Sequence, residues 1–148
     1  MGWLGAVIAF LGFAAVGLAS DDEDTVRGAY LVMEPAARFV LVPLAFATVV
    51  TGVLQSLITV WGLLRHYWVL FKLLIAVVST AILLIYLETF SSMAAVAADE
   101  NAELAAVRNP SPLIHAALAI ALLVTAIVLA VFKPRGLTAY GRRKRRER

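Results

Sequence analysis

Cysteine is absent from this 148-residue chain. That removes disulfides, thiolate metal sites and cysteine nucleophiles at once. Charge is scarce as well: Asp, Glu, Lys and Arg make up 16% of the residues, against about 25% in a soluble domain. The motifs that carry catalysis are missing too. There is no H-E-x-x-H, no glycine loop to cradle phosphate, and no Ser/His/Asp set at a shared depth. No enzyme activity is expected, and no room is left for an additional soluble domain.

Apolar residues fill the space: 62% of the chain is hydrophobic and the mean hydropathy is +0.90. They are concentrated in four blocks, about 2–20, 39–58, 67–87 and 113–132. A helix needs about 20 apolar residues to cross about 30 Å of hydrocarbon, and each block qualifies. Backbone groups in lipid must be satisfied internally, so the blocks are expected to be helices. Their apolar runs are continuous, unlike the dyad alternation of a lipid-facing barrel. The expectation is an all-α polytopic membrane protein. It has a four-transmembrane-helix bundle over 1–132, a short extracytoplasmic surface helix, and a basic cytoplasmic tail over 133–148.

Local signals set the boundaries. Ser20 and Glu23 form an S-x-x-E capping box that opens the surface helix at Asp21, and Pro35 separates it from the second span. Pro43 predicts a kink. "NPSP" at 109–112 ends an Ala-rich loop helix and offers Ser111 as N-cap, with Pro112 at the first helical position. "FKPRG" closes the fourth span. "GLAS" at 17–20 resembles a signal-peptidase site, but the first block lacks a basic n-region and runs long, so it is expected to stay as a span.

The charges segregate by loop. With both termini cytoplasmic, the inner side holds 10 of the 13 basic residues and the outer side 9 of the 10 acidic ones. Lys/Arg bias of short loops sets orientation, so both ends are expected on the cytoplasmic side of the membrane. Rows of small residues mark expected packing seams. They are Gly2, Gly5, Ala9, Gly12 and Ala19 with Val16, then Thr48, Gly52 and Ser56, then Ala76 and Thr80, then Ala117, Ala121 and Thr125.

"WGLLRHYWVLFKLL" at 61–74 forms the short inner turn. Trp61, Arg65, His66, Trp68 and Lys72 read as an interfacial lipid anchor, aromatic rings with flanking cations. The six basic residues of "GRRKRRER" read as a tail on anionic lipid rather than on nucleic acid. On the outer side, Met33, Met93 and His115 lie near Glu34 and Glu88. Thioethers with imidazole are the donors that Cu(I) favours, so these residues are a candidate copper site, while methionine as core filler is the competing reading. Haem b is a further reading, since membrane cytochromes pair histidines. Here His66 and His115 fall at opposite edges, roughly 30 Å apart, too far for one iron within one subunit. No resident cofactor is therefore expected.

"GWLGAVIAF", "TVRGAYLVME", "TGVLQSLITVWGLLRHYWVLFKLL" and the basic tail together resemble a family of small, uncharacterised actinobacterial integral membrane proteins. The chain is more loosely similar to the copper-resistance D membrane domain. The resemblance implies a polytopic membrane protein of unknown activity and adds weight to copper handling. Relatives carry a few more residues ahead of "GWLGA", often including a histidine that does not appear here. Taken with the residues, the expected function is a structural or interaction component of the membrane. Its partners are lipid, anionic headgroups at the tail, and a second copy or another membrane protein. Copper handling and a haem-b cytochrome are the alternatives.

Overall fold

The computed structural model describes residues 2–58 and 66–132, together with Gly136, Thr138 and Arg143. It is all-helical: α1 Gly2–Ala19, α2 Glu23–Ala36, α3 Val42–Ile58, α4 Tyr67–Ala98 and α5 Ser111–Phe132. Four helical stretches are long and apolar enough to cross a membrane, namely Gly2–Ala19, Glu23–Ile58, Tyr67–Ala98 and Ser111–Phe132.

The expected break at Pro35 is not there. α2 continues through Pro35 into a π-helical segment, Ala37–Leu41, and on into α3. The result is one rod of 36 residues, about 54 Å long at 1.5 Å per residue. Proline has no N–H to give and its ring crowds the carbonyl four residues back. The π segment precedes Pro43 by one turn, and there the Val42 N–H reaches the Ala37 carbonyl five residues back. A wider turn takes up the crowding that would otherwise break the rod.

Two other boundaries move. Asp22, not Ser20, caps α2: its carboxylate accepts from the Thr25 N–H at 3.0 Å and from the Thr25 hydroxyl. At the other loop, α4 runs to Ala98 and absorbs the Ala-rich stretch, leaving only a 3-10 turn at Leu104–Ala106. α5 begins at Ser111, whose N–H is taken by the Asn109 side chain at 2.8 Å. The Ser111 hydroxyl is thereby released for another use. α5 is described as far as Phe132, and the expected stop at "FKPRG" falls largely outside the described residues.

α1 packs antiparallel to the long rod. Gly17 lies against the ring of Tyr30, where an added Cβ would come within 3.2 Å, and Gly2 lies beside Leu44. α1 therefore stands level with residues 29–44, and the remainder of α3 to Ile58, about 21 Å, extends past it. The sequence blocks 2–20 and 39–58 are out of register with one another.

The seam of α1 is Trp3, Val7, Phe10, Ala14 and Gly17, all buried. Beyond Gly2, which borders Leu44, the small-residue row expected there points the other way. Gly2, Gly5, Ala9, Gly12, Val16 and Ala19 are all exposed, and Gly5 and Gly12 have open space where a Cβ would sit. Ala117, Ala121 and Thr125 on α5 are likewise exposed. Ala76, Thr80 and Ser56 are buried as expected, with Thr48 and Gly52 half-buried. Hydroxyls along the spans return to their own helices: Thr48 to the Leu44 carbonyl, Ser56 to Val53 and Thr80 to Ala76.

Arg27 ties the two long helices at the loop end. Its guanidinium donates to the carbonyls of Ala97, Asp99, Glu100 and Ala102 at 2.6–3.2 Å; the first is a terminal carbonyl that α4 cannot satisfy itself, and the others belong to the C-cap and the loop after it. Arg108 adds a 2.7 Å bond to the Ser20 carbonyl. Further along, Arg38 pairs with Glu34 at 2.8 Å and donates to Ser91 at 3.2 Å.

Candidate functional site

Between α1, the π segment, α4 and α5 there is a cavity of about 70 Å³. Its walls are apolar and aromatic, with Trp3 and Phe10 from α1, Leu41 from the π segment, and Phe90 from α4. Three polar side chains also line it: Ser79 and Tyr86 from α4, and His115 from α5.

Local sequence fixes the imidazole. His115 lies one helical turn after Ser111, and its Nδ1 is 2.8 Å from the Ser111 carbonyl oxygen. A carbonyl only accepts, so in this contact Nδ1 is the donor. The ring is stacked on Tyr86 with centroids 4.1 Å apart. Tyr86 in turn holds the Ser111 hydroxyl and meets Phe90 at 5.5 Å, and Phe90 meets Phe10 at 5.1 Å. A row of four rings thus crosses from α1 to α5 and locks the His115 rotamer. None of the hydrogen bonds described for His115 uses Nε2. Ser79 is 93% buried, and its hydroxyl has no partner. A buried hydroxyl left unpaired costs about 1–3 kcal/mol.

The other candidate residues are placed as follows. Met33 and Met93 join one buried apolar cluster with Tyr30, Phe90 and Val26. Neither methionine is among the described residues lining the His115 cavity. Glu88 is exposed, and Glu34 is engaged with Arg38. No group of three or more His, Asp or Glu side chains suited to a metal occurs among the described residues.

In the inner-turn stretch, Trp61 and Arg65 lie outside the described residues. His66 stands just before α4, Trp68 is buried and Lys72 is half-buried. Tyr67 and Phe71 are the aromatic side chains turned outward there. The Tyr67 N–H donates to the Gly136 carbonyl at 3.3 Å. Most of the basic tail also lies outside the described residues. Twenty residues of α4 separate His66 from Tyr86, the ring on which His115 stacks, or about 30 Å.

The sequence singles out His115, but neither Tyr86 nor Ser79. The available signal is their spacing of seven on one helix, which puts both on one face. Comparison with family models, curated proteins and solved structures finds no match.

Proposed function

We propose that this protein is a small multi-pass component of a bacterial cytoplasmic membrane, with both termini inside, and that it acts through association rather than catalysis. The charge bias of the loops supports the orientation. One observation carries the association: the small residues of α1 are not spent inside the molecule. Gly5, Ala9, Gly12 and Ala19 lie exposed on one face. Small residues let helix backbones approach closely, which drives pairing where lipid is as apolar as the helices. The partner is a further transmembrane helix, from a second copy or from another membrane protein. The arginine-rich tail adds attraction to anionic lipid, about 1 kcal/mol per cation near the surface.

Because the chain has no cysteine of its own, a single introduced thiol reports cleanly. Ala9→Cys on this face and Leu74→Cys on a different exposed face are oxidised in native membranes. Crosslinking to a dimer or to a heavier adduct is expected at position 9 and not at 74. Equal yields at the two positions, or none at either, refute the reading. A reporter fused after Arg148 that is active on the cytoplasmic side checks the orientation.

A further inference from the structure

Lys72 sits on the inward face of α4. Trp68 and Val69 before it, and Ala76 and Ser79 after it, are all buried, and spacings of three, four and seven put them on its side of the helix. Lys72 itself is half-buried. Among the described residues no hydrogen bond or ion pair reaches its ammonium. The sequence supplies no counterion either, since Asp and Glu are absent from 35–87 and from 104–146. An ionised group inside a span without a partner is costly and marks a ligand or a pathway.

The stagger of α1 uncovers this face. Lys72 and Phe90 are 18 residues apart, five full turns, so both point the same way. Phe90 is met by Phe10 of α1. α1 and α4 both run antiparallel to the long rod and so parallel to each other, which brings Gly2 to about the level of residue 82 on α4. Lys72 lies about 15 Å beyond that end. There α3 and α5 each pack on α4 and are not packed extensively on one another. Counted from the Arg38–Ser91 and Tyr86–His115 contacts, the residues that come level with Lys72 include Ser56 and Ala130, both small.

We propose that this notch, floored by α4 between α3 and α5, binds one anionic phospholipid, with its phosphate on Lys72 and an acyl chain running toward Gly2. A lysine in a helix directs its side chain back toward the helix N-terminus, here toward Tyr67, the end at which a headgroup stands. Phosphate supplies the missing charge through charge-assisted hydrogen bonds. The Gly136 carbonyl accepts from the Tyr67 N–H, and its sequence neighbours Lys133 and Arg135 add positive charge at that end. The apolar walls suit the acyl chain. This site is separate from the arginine-rich tail and does not depend on which way the chain is threaded.

The test uses the full chain in detergent, with phosphatidylglycerol, phosphatidylcholine or inorganic phosphate added, read by thermal midpoint and native mass spectrometry. Phosphatidylglycerol should raise the midpoint and leave one retained lipid per chain, and the other two should do neither. Lys72→Gln should bind that lipid about tenfold or more weakly, the range of a hydrogen bond to a charged group, and Lys72→Arg should keep it. Without added lipid the Lys72→Gln midpoint should stay level or rise, so misfolding cannot explain the loss. Replacing the six basic residues of 142–148 by glutamine should leave the retained lipid in place. A photoreactive acyl chain should label 49–56 and 119–130. Retention by Lys72→Gln, loss in the tail variant, equal effects of phosphatidylcholine or phosphate, or labelling of outward faces alone overturns the proposal. A second copy seated in the notch would leave no lipid retained, and that result overturns it too.

Discussion

At position 17 the lack of a side chain lets the Tyr30 ring rest on the backbone of α1, and the geometry leaves no space for more. A Cβ would stand 3.2 Å from two ring atoms of a side chain that is itself only 2% exposed. Gly17→Val is expected to lower stability by about 1–3 kcal/mol, the usual cost of overpacking, as a reduced thermal midpoint in detergent. Gly12→Ala meets nothing within 4 Å and is expected to be neutral or stabilising, since alanine exceeds glycine in helices by up to about 1 kcal/mol. If position 12 proves the more sensitive in lipid as well as in detergent, the assignment of the α1 faces is wrong. At the loop end, Asp22 carries the N-cap of α2. The side-chain bond from Thr25 and then its backbone N–H hold the Asp22 carboxyl below the usual carboxylate range. With a folded value below the unfolded one, the cap is fully present above about pH 4 and is lost as pH falls through the lowered value. Amide exchange at Thr25 should accelerate over that acid window, and in Asp22→Ala it should be fast at every pH.

Among the elements, Arg27 has the largest local consequence. Four carbonyls from the end of α4 and the following loop converge on one guanidinium. Its removal takes a charged donor from all four, and of them the Asp99 carbonyl keeps the Ala102 N–H at 3.1 Å. Hydrogen bonds to charged groups contribute about 1.5–3 kcal/mol, and bonds sharing one donor do not add fully. Arg27→Ala is thus expected to cost about 2–4 kcal/mol and to raise amide exchange across 97–108 well before the spans open. Uniform exchange throughout the molecule would show that the clamp is not a local device. Hydropathy makes the helices legible, because lipid demands long uninterrupted apolar runs and α1, α4 and α5 supply them. It does not make their faces legible. A large apolar side chain and a small one are equally soluble in hydrocarbon, so the periodicity that separates core from surface in water separates nothing here. That is why the glycine row of α1 suggests a seam while Trp3, Val7 and Phe10 form it. Pro35 misleads for a related reason. A helix broken within lipid exposes carbonyls to hydrocarbon, and that cost favours carrying the helix past the proline.

For the whole molecule, the candidate site is partly legible and the reason is topological. His115 is conspicuous as one of two histidines, but its neighbours come from α1 and α4 and cannot be inferred from α5 alone. Ser79 looks like any small polar residue in a span until the cavity beside it is seen. The stagger of α1 has a wider consequence. α1 reaches only the level of Leu44, and α3 runs on to Ile58 without it. A helix that stops short of its neighbour's far end displaces more area from one leaflet than from the other. It should settle where the two leaflets differ in area by curvature. Given a choice between vesicles of about 30 nm and about 400 nm, it should concentrate in one class, and indifference to radius would imply that α1 slides into register once in lipid.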